Sequence, residues 1–232
     1  MVDMSRGSPH NVSHGCMVHV WSNLTRGRSS RRFGSRRRTL YPRRMNDTGI
    51  ETELKIPVND LAAVRANLAT LDASLISESA REENLLLDTA DRELSGRGCV
   101  LRLRRHGARR ILTFKGPATY DGHIKVRPEH ELEIEDLETM LTVFEALGFA
   151  GVVRYEKDRE TWRINDAEVV LDHTPMGDFV EVEGPPELIG SVARSLGLDP
   201  SDAVRGSYIS LWSEFRARHP ELDLPPDMVF GP

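Results

Sequence analysis

Glu51, Glu53 and Lys55 stand at alternate positions in the stretch IETELKIPV. Alternate residues of a strand share a face, so two carboxylates and an ammonium point one way while Leu54 and Ile56 point the other. The arrangement recurs far along the chain. Arg102 and Arg104 alternate with Leu101 and Leu103, and Lys115 with Phe114. Lys157 and Arg159 share a parity, Asp172 opposes Leu171, and Glu181 and Glu183 alternate with Val180 and Val182. The longest period-2 run, HIKVRPEHELEIED, sets Lys125, Arg127, Glu129, Glu131, Glu133 and Glu135 on one face.

Clustered carboxylates repel one another until a hard cation binds, and oxygen ligands suit Mg2+ or Mn2+. Clustered Arg and Lys need a polyanion, and a phosphate chain offers oxygens to guanidinium forks and ammonium points alike. A metal beside a basic wall is the arrangement phosphoryl chemistry needs, because preorganised cations stabilise charge developing on phosphate oxygens. Any one of these strands also reads as the wet face of an antiparallel sheet. The set reads otherwise. Its polar faces are nearly all charged, its two signs fall in separate blocks, and its helices carry apolar stripes that must cover a sheet. If they cover the aliphatic side, the charged side is the interior, and that interior predicts a metal–triphosphate complex.

The elements that position these residues follow from periodicity and turn signals. Residues 50–57 read as a strand stopped by Pro57, followed by a helix capped at Asn59 or Asp60 with Leu61, Val64, Leu68 and Leu71 on one face. AREENLLLDT reads as a strand, then a turn or short helix. CVLRLRRH and RRILTFKG form a hairpin through Gly107. Pro128 predicts a bulge or an edge position in the long charged strand. Asp136 caps the helix LETMLTVFEALGF, which ends near Gly148. VVRYEKDRETWRI and AEVVLDHTP make a second hairpin, GDFVEVEG is a last strand, and two helices follow. About eight strands and about four helices give an α+β fold, with a closed barrel as candidate because closure removes edges. No Gly-rich phosphate loop follows a strand, which excludes Rossmann and P-loop readings.

Composition bounds the rest. The chain has 232 residues, 39% hydrophobic and 29% charged, as expected of a globular protein. No apolar run reaches the ~18 residues of a membrane span. Cys16 and Cys99 suggest no disulfide framework, so a reducing, cytoplasmic setting is expected. The net charge of −5 hides an asymmetry: residues 1–44 hold ten Arg and one acid, Asp3. The expected organisation is an Arg-rich disordered extension over 1–48, a folded domain over 49–218 and a Pro-rich tail over 219–232. The extension reads as a segment outside the working protein, with Met45 a natural start; a nucleic-acid or membrane arm and an organelle transit peptide are the alternatives. His123, His130 and His173 read as surface or packing residues, Tyr155 as structural, and Trp162 and Trp212 as core.

These motifs resemble the CYTH family, the triphosphate tunnel metalloenzymes. Its E-x-E-x-K opening matches Glu51-Thr-Glu53-Leu-Lys55, and LRLRR, LTFKGP, KVRPEHELEIED, YEKDRETW, LDHTPMGDFVEVEG and SYISLW match in order, over about residues 49–215. The chain looks most similar to the bacterial class IV adenylate cyclase branch, with thiamine triphosphatase more distant. The resemblance implies an eight-stranded antiparallel β tunnel with helices packed outside. It implies that Glu51 and Glu53 bind the divalent cation, Mg2+ or Mn2+, completed by Glu181 or Glu183. With Lys55, the two form the catalytic centre. Lys55, Arg102, Arg104, Lys115, Lys125, Arg127, Lys157 and Arg159 would grip the phosphates. Glu129, Glu131, Glu133 and Asp172 would bind a second metal or position basic residues. The expected partner is ATP, tripolyphosphate or thiamine triphosphate, in a monomer or homodimer. Nucleic acid would bind only through the extension. Hydrolysis is the favoured reaction, cyclisation of ATP to cyclic AMP the alternative, and a non-catalytic polyphosphate-binding module a third.

Overall fold

The computed structural model describes residues 49–231; the Arg-rich extension expected over 1–48 lies outside them. Nine strands form one antiparallel sheet: β1 (Ile50–Val58), β2 (Ser74–Thr89), β3 (Val100–His106), β4 (Arg109–Lys115), β5 (Thr119–Asp121), β6 (Ile124–Glu133), β7 (Phe149–Ile164), β8 (Ala167–Thr174) and β9 (Gly177–Glu183). Their order is β1-β9-β8-β7-β2-β3-β4-β6, and β6 returns to β1. Eight strands therefore close a barrel, and β5 is a short ninth strand added on β6.

Period 2 decides what this barrel contains. Opposed residues on neighbouring strands share a face. The register pairs Lys55 with Glu181, Glu53 with both Glu183 and Lys125, Glu51 with Arg127, Lys115 with Glu129, and Arg159 with Asp172. One ionic face thus runs round the inside. The aliphatic parity faces out and must be covered.

Helices do the covering. α1 (Leu61–Thr70) and α4 (Pro186–Ser195) place Val64, Leu68, Ile189, Val192 and Ala193 over Leu54, Ile56, Val169, Leu171, Val180 and Val182. α2 (Glu93–Gly96) is a single turn in the β2–β3 connection. α3 (Leu137–Ala146) lays Leu137, Met140, Leu141 and Phe144 over Leu87, Leu101 and Leu103. The caps fall where sequence placed them: Asp60 accepts from Ala62 N at 2.8 Å, and Asp136 from Thr139 N at 2.6 Å. Among the described residues no helix is long and apolar enough to cross a membrane.

Three features differ from expectation. β2 begins at Ser74, six residues early, and its register breaks between Leu75 and Ser77 and between Ser77 and Ala80. Those irregularities destroy the alternation by which a strand is recognised. No register shift falls at Pro128. This proline sits where β6 leaves β1 and joins β4, opposite Ile50, and its carbonyl accepts from Gly116 N at 2.9 Å. The last residues, read as an irregular tail, are built into the domain. α5 (Tyr208–Arg218) packs Leu211 and Trp212 with Met228, which is 0% exposed. Met228 N donates to Arg154 O at 3.1 Å, and Glu156 N to Met228 O at 2.8 Å. The tail so pairs with the part of β7 that extends beyond β8, covering an edge that would otherwise be open. Trp212 is core as expected, while Trp162 is half-buried against the cluster that α1 and α4 form with β1, β8 and β9.

Met228→Ala is expected to lower unfolding free energy by about 2–5 kcal/mol, through lost burial and a cavity. Chemical denaturation reads this, and a change under about 0.5 kcal/mol, the scale of a surface substitution, would show the tail to be no part of the fold's support.

Candidate functional site

The barrel interior is a cavity with about 680 Å³ of free space, counted out to its open mouth. Eight basic and five acidic side chains line it, together with Leu86, Val100, Tyr155, Ser207, Tyr208 and Ile209. All of Lys55, Arg102, Arg104, Lys115, Lys125, Arg127, Lys157 and Arg159 are among the lining residues. The excess of positive charge suits an anion.

Beside the basic wall lies a carboxylate cluster. Oxygens of Glu51, Glu53 and Glu183 come within 4.8 Å of one another. Glu51 and Glu53 are buried, Glu183 half-buried. One buried oxygen of Glu51, Oε2, has no hydrogen-bond partner among the described residues, while Oε1 accepts from Lys115 Nζ at 2.7 Å. Glu53 Oε1 accepts from Lys125 Nζ at 2.7 Å. Three converging carboxylates with a buried oxygen still to satisfy are a donor set that fits a hard divalent cation. Burial pushes the Glu51 carboxyl up, but Lys115 and Lys125 outweigh it and hold the group well below the usual range. Burial, aided by the Glu51 charge, keeps Glu129 raised although Lys115 opposes it.

The other acids expected as metal ligands have different partners. Glu181 contacts Lys55 and Arg159. Asp172 is fully buried and accepts from Lys157 Nζ at 3.0 Å, Arg159 Nε at 2.7 Å and Tyr208 Oη at 2.6 Å. Glu131 accepts from Thr113 Oγ1 at 3.0 Å and lies 3.5 Å from Arg102. Glu129 lies 3.2 Å from Lys115. These four lie against basic side chains. Glu133 is not brought into the tunnel: its side chain is 63% exposed and meets Arg109 at 3.5 Å, because β6 runs on past the rim.

Among the basic residues, Lys55 is almost fully buried. Burial disfavours its charge, yet Glu181 and Glu53 reverse that and raise its pKa above the ordinary lysine value. It is an ammonium at any working pH, so it donates hydrogen bonds and supplies charge but accepts no proton. Arg127 donates to the carbonyl of Gly116 at 2.9 Å through Nε and to that of Gly98 at 3.2 Å, which ties together the loops before β3 and after β4. Arg102 donates to Tyr155 Oη at 2.8 Å, so the tyrosine read as structural also orients a basic group.

Sequence reasoning missed Glu82, Asn84, Thr113 and Tyr208. Glu82 is 0% exposed and lies between Arg104 at 3.4 Å, Lys157 at 3.6 Å and Arg159 at 4.0 Å, with Asn84 donating to it at 3.1 Å. It shares the parity of Leu86, and phasing β2 by the outward Leu85 and Leu87 would have exposed it. Tyr208 sits on a helix, where alternation gives no signal.

A closed antiparallel barrel with a carboxylate cluster and a basic wall inside defines a charged-tunnel protein. The CYTH domain family matches residues 49–195, and the chain belongs to that family. A protein of Methanocaldococcus jannaschii, provisionally named an adenylate cyclase, is 29% identical over 173 residues, covering 70% of this chain and 98% of its own. A Vibrio parahaemolyticus structure with the same provisional name superposes with a TM-score of 0.65 at 21% identity, over 71% of this chain and 98% of that one. A Hippeastrum protein, provisionally named an adenylyl cyclase and described as having dominant triphosphatase activity, gives a TM-score of 0.55 at 17% identity, over 71% and 95%.

Glu82→Gln leaves several buried cations short of a counter-charge and is expected to cost about 3 kcal/mol. Its melting temperature should fall, and added inorganic tripolyphosphate should recover part of the loss. An unchanged melting temperature would remove Glu82 from the centre of this network.

Proposed function

We propose that this protein is a divalent-metal-dependent enzyme that hydrolyses a nucleoside, thiamine or inorganic triphosphate inside its tunnel, in a cytoplasmic setting. The observation that carries the reading is the Glu51–Glu53–Glu183 cluster set against eight basic side chains in one cavity. A Mg2+ or Mn2+ ion held by those three carboxylates would supply Lewis acidity toward the phosphoanhydride.

The chain's own groups would do the rest. Lys115 and Lys125, now paired with Glu51 and Glu53, are placed to exchange those carboxylates for phosphate oxygens. Arg102 and Arg104 project from one strand at the spacing of a shared face and offer fork donors to successive phosphates. Lys157 and Arg159, held by Asp172, offer a second wall. Lys55 contributes a fixed positive charge where negative charge grows, and orients water as a donor. Preorganisation is the common theme: most of these cations are already buried and held by partners before substrate arrives.

A second reading is cyclisation of ATP to cyclic AMP and pyrophosphate. It is favoured by the name of the Methanocaldococcus relative and by Leu86, Val100 and Ile209, apolar lining residues that would suit an organic group. The Hippeastrum protein's dominant triphosphatase activity favours hydrolysis. The same charges serve both, and the position of the nucleophile decides.

Incubating the full chain with ATP, tripolyphosphate and thiamine triphosphate, each with Mg2+ and Mn2+, tests the reading. Release of orthophosphate is expected; cyclic AMP with pyrophosphate would establish the cyclase instead, and binding without product would leave a binding module. Glu51→Gln and Glu53→Gln are expected to abolish metal-dependent turnover in a chain that still folds, and full activity in either would refute the cation site. Arg102→Ala or Arg104→Ala should raise KM by roughly tenfold or more, the worth of a charge-assisted hydrogen bond; unchanged kinetics would remove that residue from the phosphate path.

A further inference from the structure

α1, α3 and α4 pack on the outside of the barrel, but the first residues of α5 line the cavity. Tyr208 carries that intrusion. It is buried, and its Oη donates to Asp172 Oδ2 at 2.6 Å. Lys55 Nζ lies 4.1 Å from its ring centroid and Lys157 Nζ 4.8 Å. One side chain therefore touches ionic groups from β1, β7 and β8. The ring is itself held. Phe179 meets it edge-to-face at 5.3 Å, and a capping box of Ser207 and Ser210 fixes the turn that presents it.

We propose that Tyr208 is a positioning residue that sets the direction and spacing of Lys55 and Lys157 for the triphosphate. The inference rests on the triphosphate reading given above. Each ammonium has three donors and already lies by two carboxylates, Glu181 and Glu53 for Lys55, Asp172 and Glu82 for Lys157. Without a further partner, each would fold wholly onto its carboxylates. A ring face attracts both charges and leaves N–H donors for phosphate oxygens. The phenol also occupies part of Asp172's acceptor capacity, which limits how far that carboxylate neutralises Lys157. No charge of its own is brought into the anion's path.

Two variants separate ring from hydroxyl. Tyr208→Phe keeps the ring and loses the bond to Asp172; Tyr208→Leu loses both. With Mg2+ and inorganic tripolyphosphate as probe, Tyr208→Leu is expected to raise KM about tenfold with kcat changed less than about threefold, and Tyr208→Phe to raise KM only about threefold. In NMR spectra of the full chain, ring currents should shift the ε-methylene protons of Lys55 and Lys157 upfield in the parent and in Tyr208→Phe, and this shift should vanish in Tyr208→Leu. A purely structural residue would lower the melting temperature without splitting KM from kcat. An unchanged KM in Tyr208→Leu, or no ring-current shift in the parent, overturns the proposal while the enzyme reading stands. A parent chain that binds tripolyphosphate without turnover overturns the enzyme reading, and Kd then replaces KM in judging Tyr208. A parent that does not bind it overturns both.

Discussion

A charge taken out of water must meet its opposite. The desolvation of one carboxylate or ammonium costs several kcal/mol even after the surroundings relax. This barrel buries Glu51, Glu53, Glu82, Asp172 and Glu181 together with Lys55, Arg102, Arg104, Lys157 and Arg159. Strand register must therefore do more than align backbones. It must bring Lys55 to Glu181, Arg159 to Asp172 and Lys115 to Glu129. A slip of one residue would turn every ionic side chain out and every aliphatic one in. The pairing of charges and the choice of fold are thus one constraint.

That constraint also divides the acids by role. Glu82, Asp172 and Glu181 are surrounded by basic groups and act as fixed counter-charges. Glu51, Glu53 and Glu183 converge on one another. The first group keeps the cations directed; the second is where added positive charge relieves repulsion. A tunnel made this way resists collapse, because most cations that would otherwise close on a free carboxylate already have one, and Arg127 is tied to backbone carbonyls instead. Tyr208 extends the same logic with a ring in place of a charge.

Much of this is legible in the sequence, and the failures have physical causes. Parity of charge against Leu and Val placed the eight basic residues on the inner face. Period 2 tells which face a residue takes but not how far along the barrel axis it lies, so Glu133 shares a parity with Glu131 yet falls beyond the rim. Sign tells that Asp172 is acidic but not whether its neighbour is a metal or a guanidinium. Bulges near Ser77 erased the alternation of early β2, and reading that strand without assigning its faces left Glu82 and Asn84 unplaced. The inward Tyr208 belongs to a helix, and its reach into the cavity depends on tertiary packing alone. The tail looked irregular because a single bridge at Met228 leaves no pattern.

That bridge bears on what keeps the pore intact. Met228 seals a strand edge and packs against the helix whose first turn enters the cavity. A cut in the loop ahead of it would leave this stretch of β7 with an open edge and strip α5 of its outer support. The integrity of a highly ionic interior thus leans on an uncharged thioether outside it.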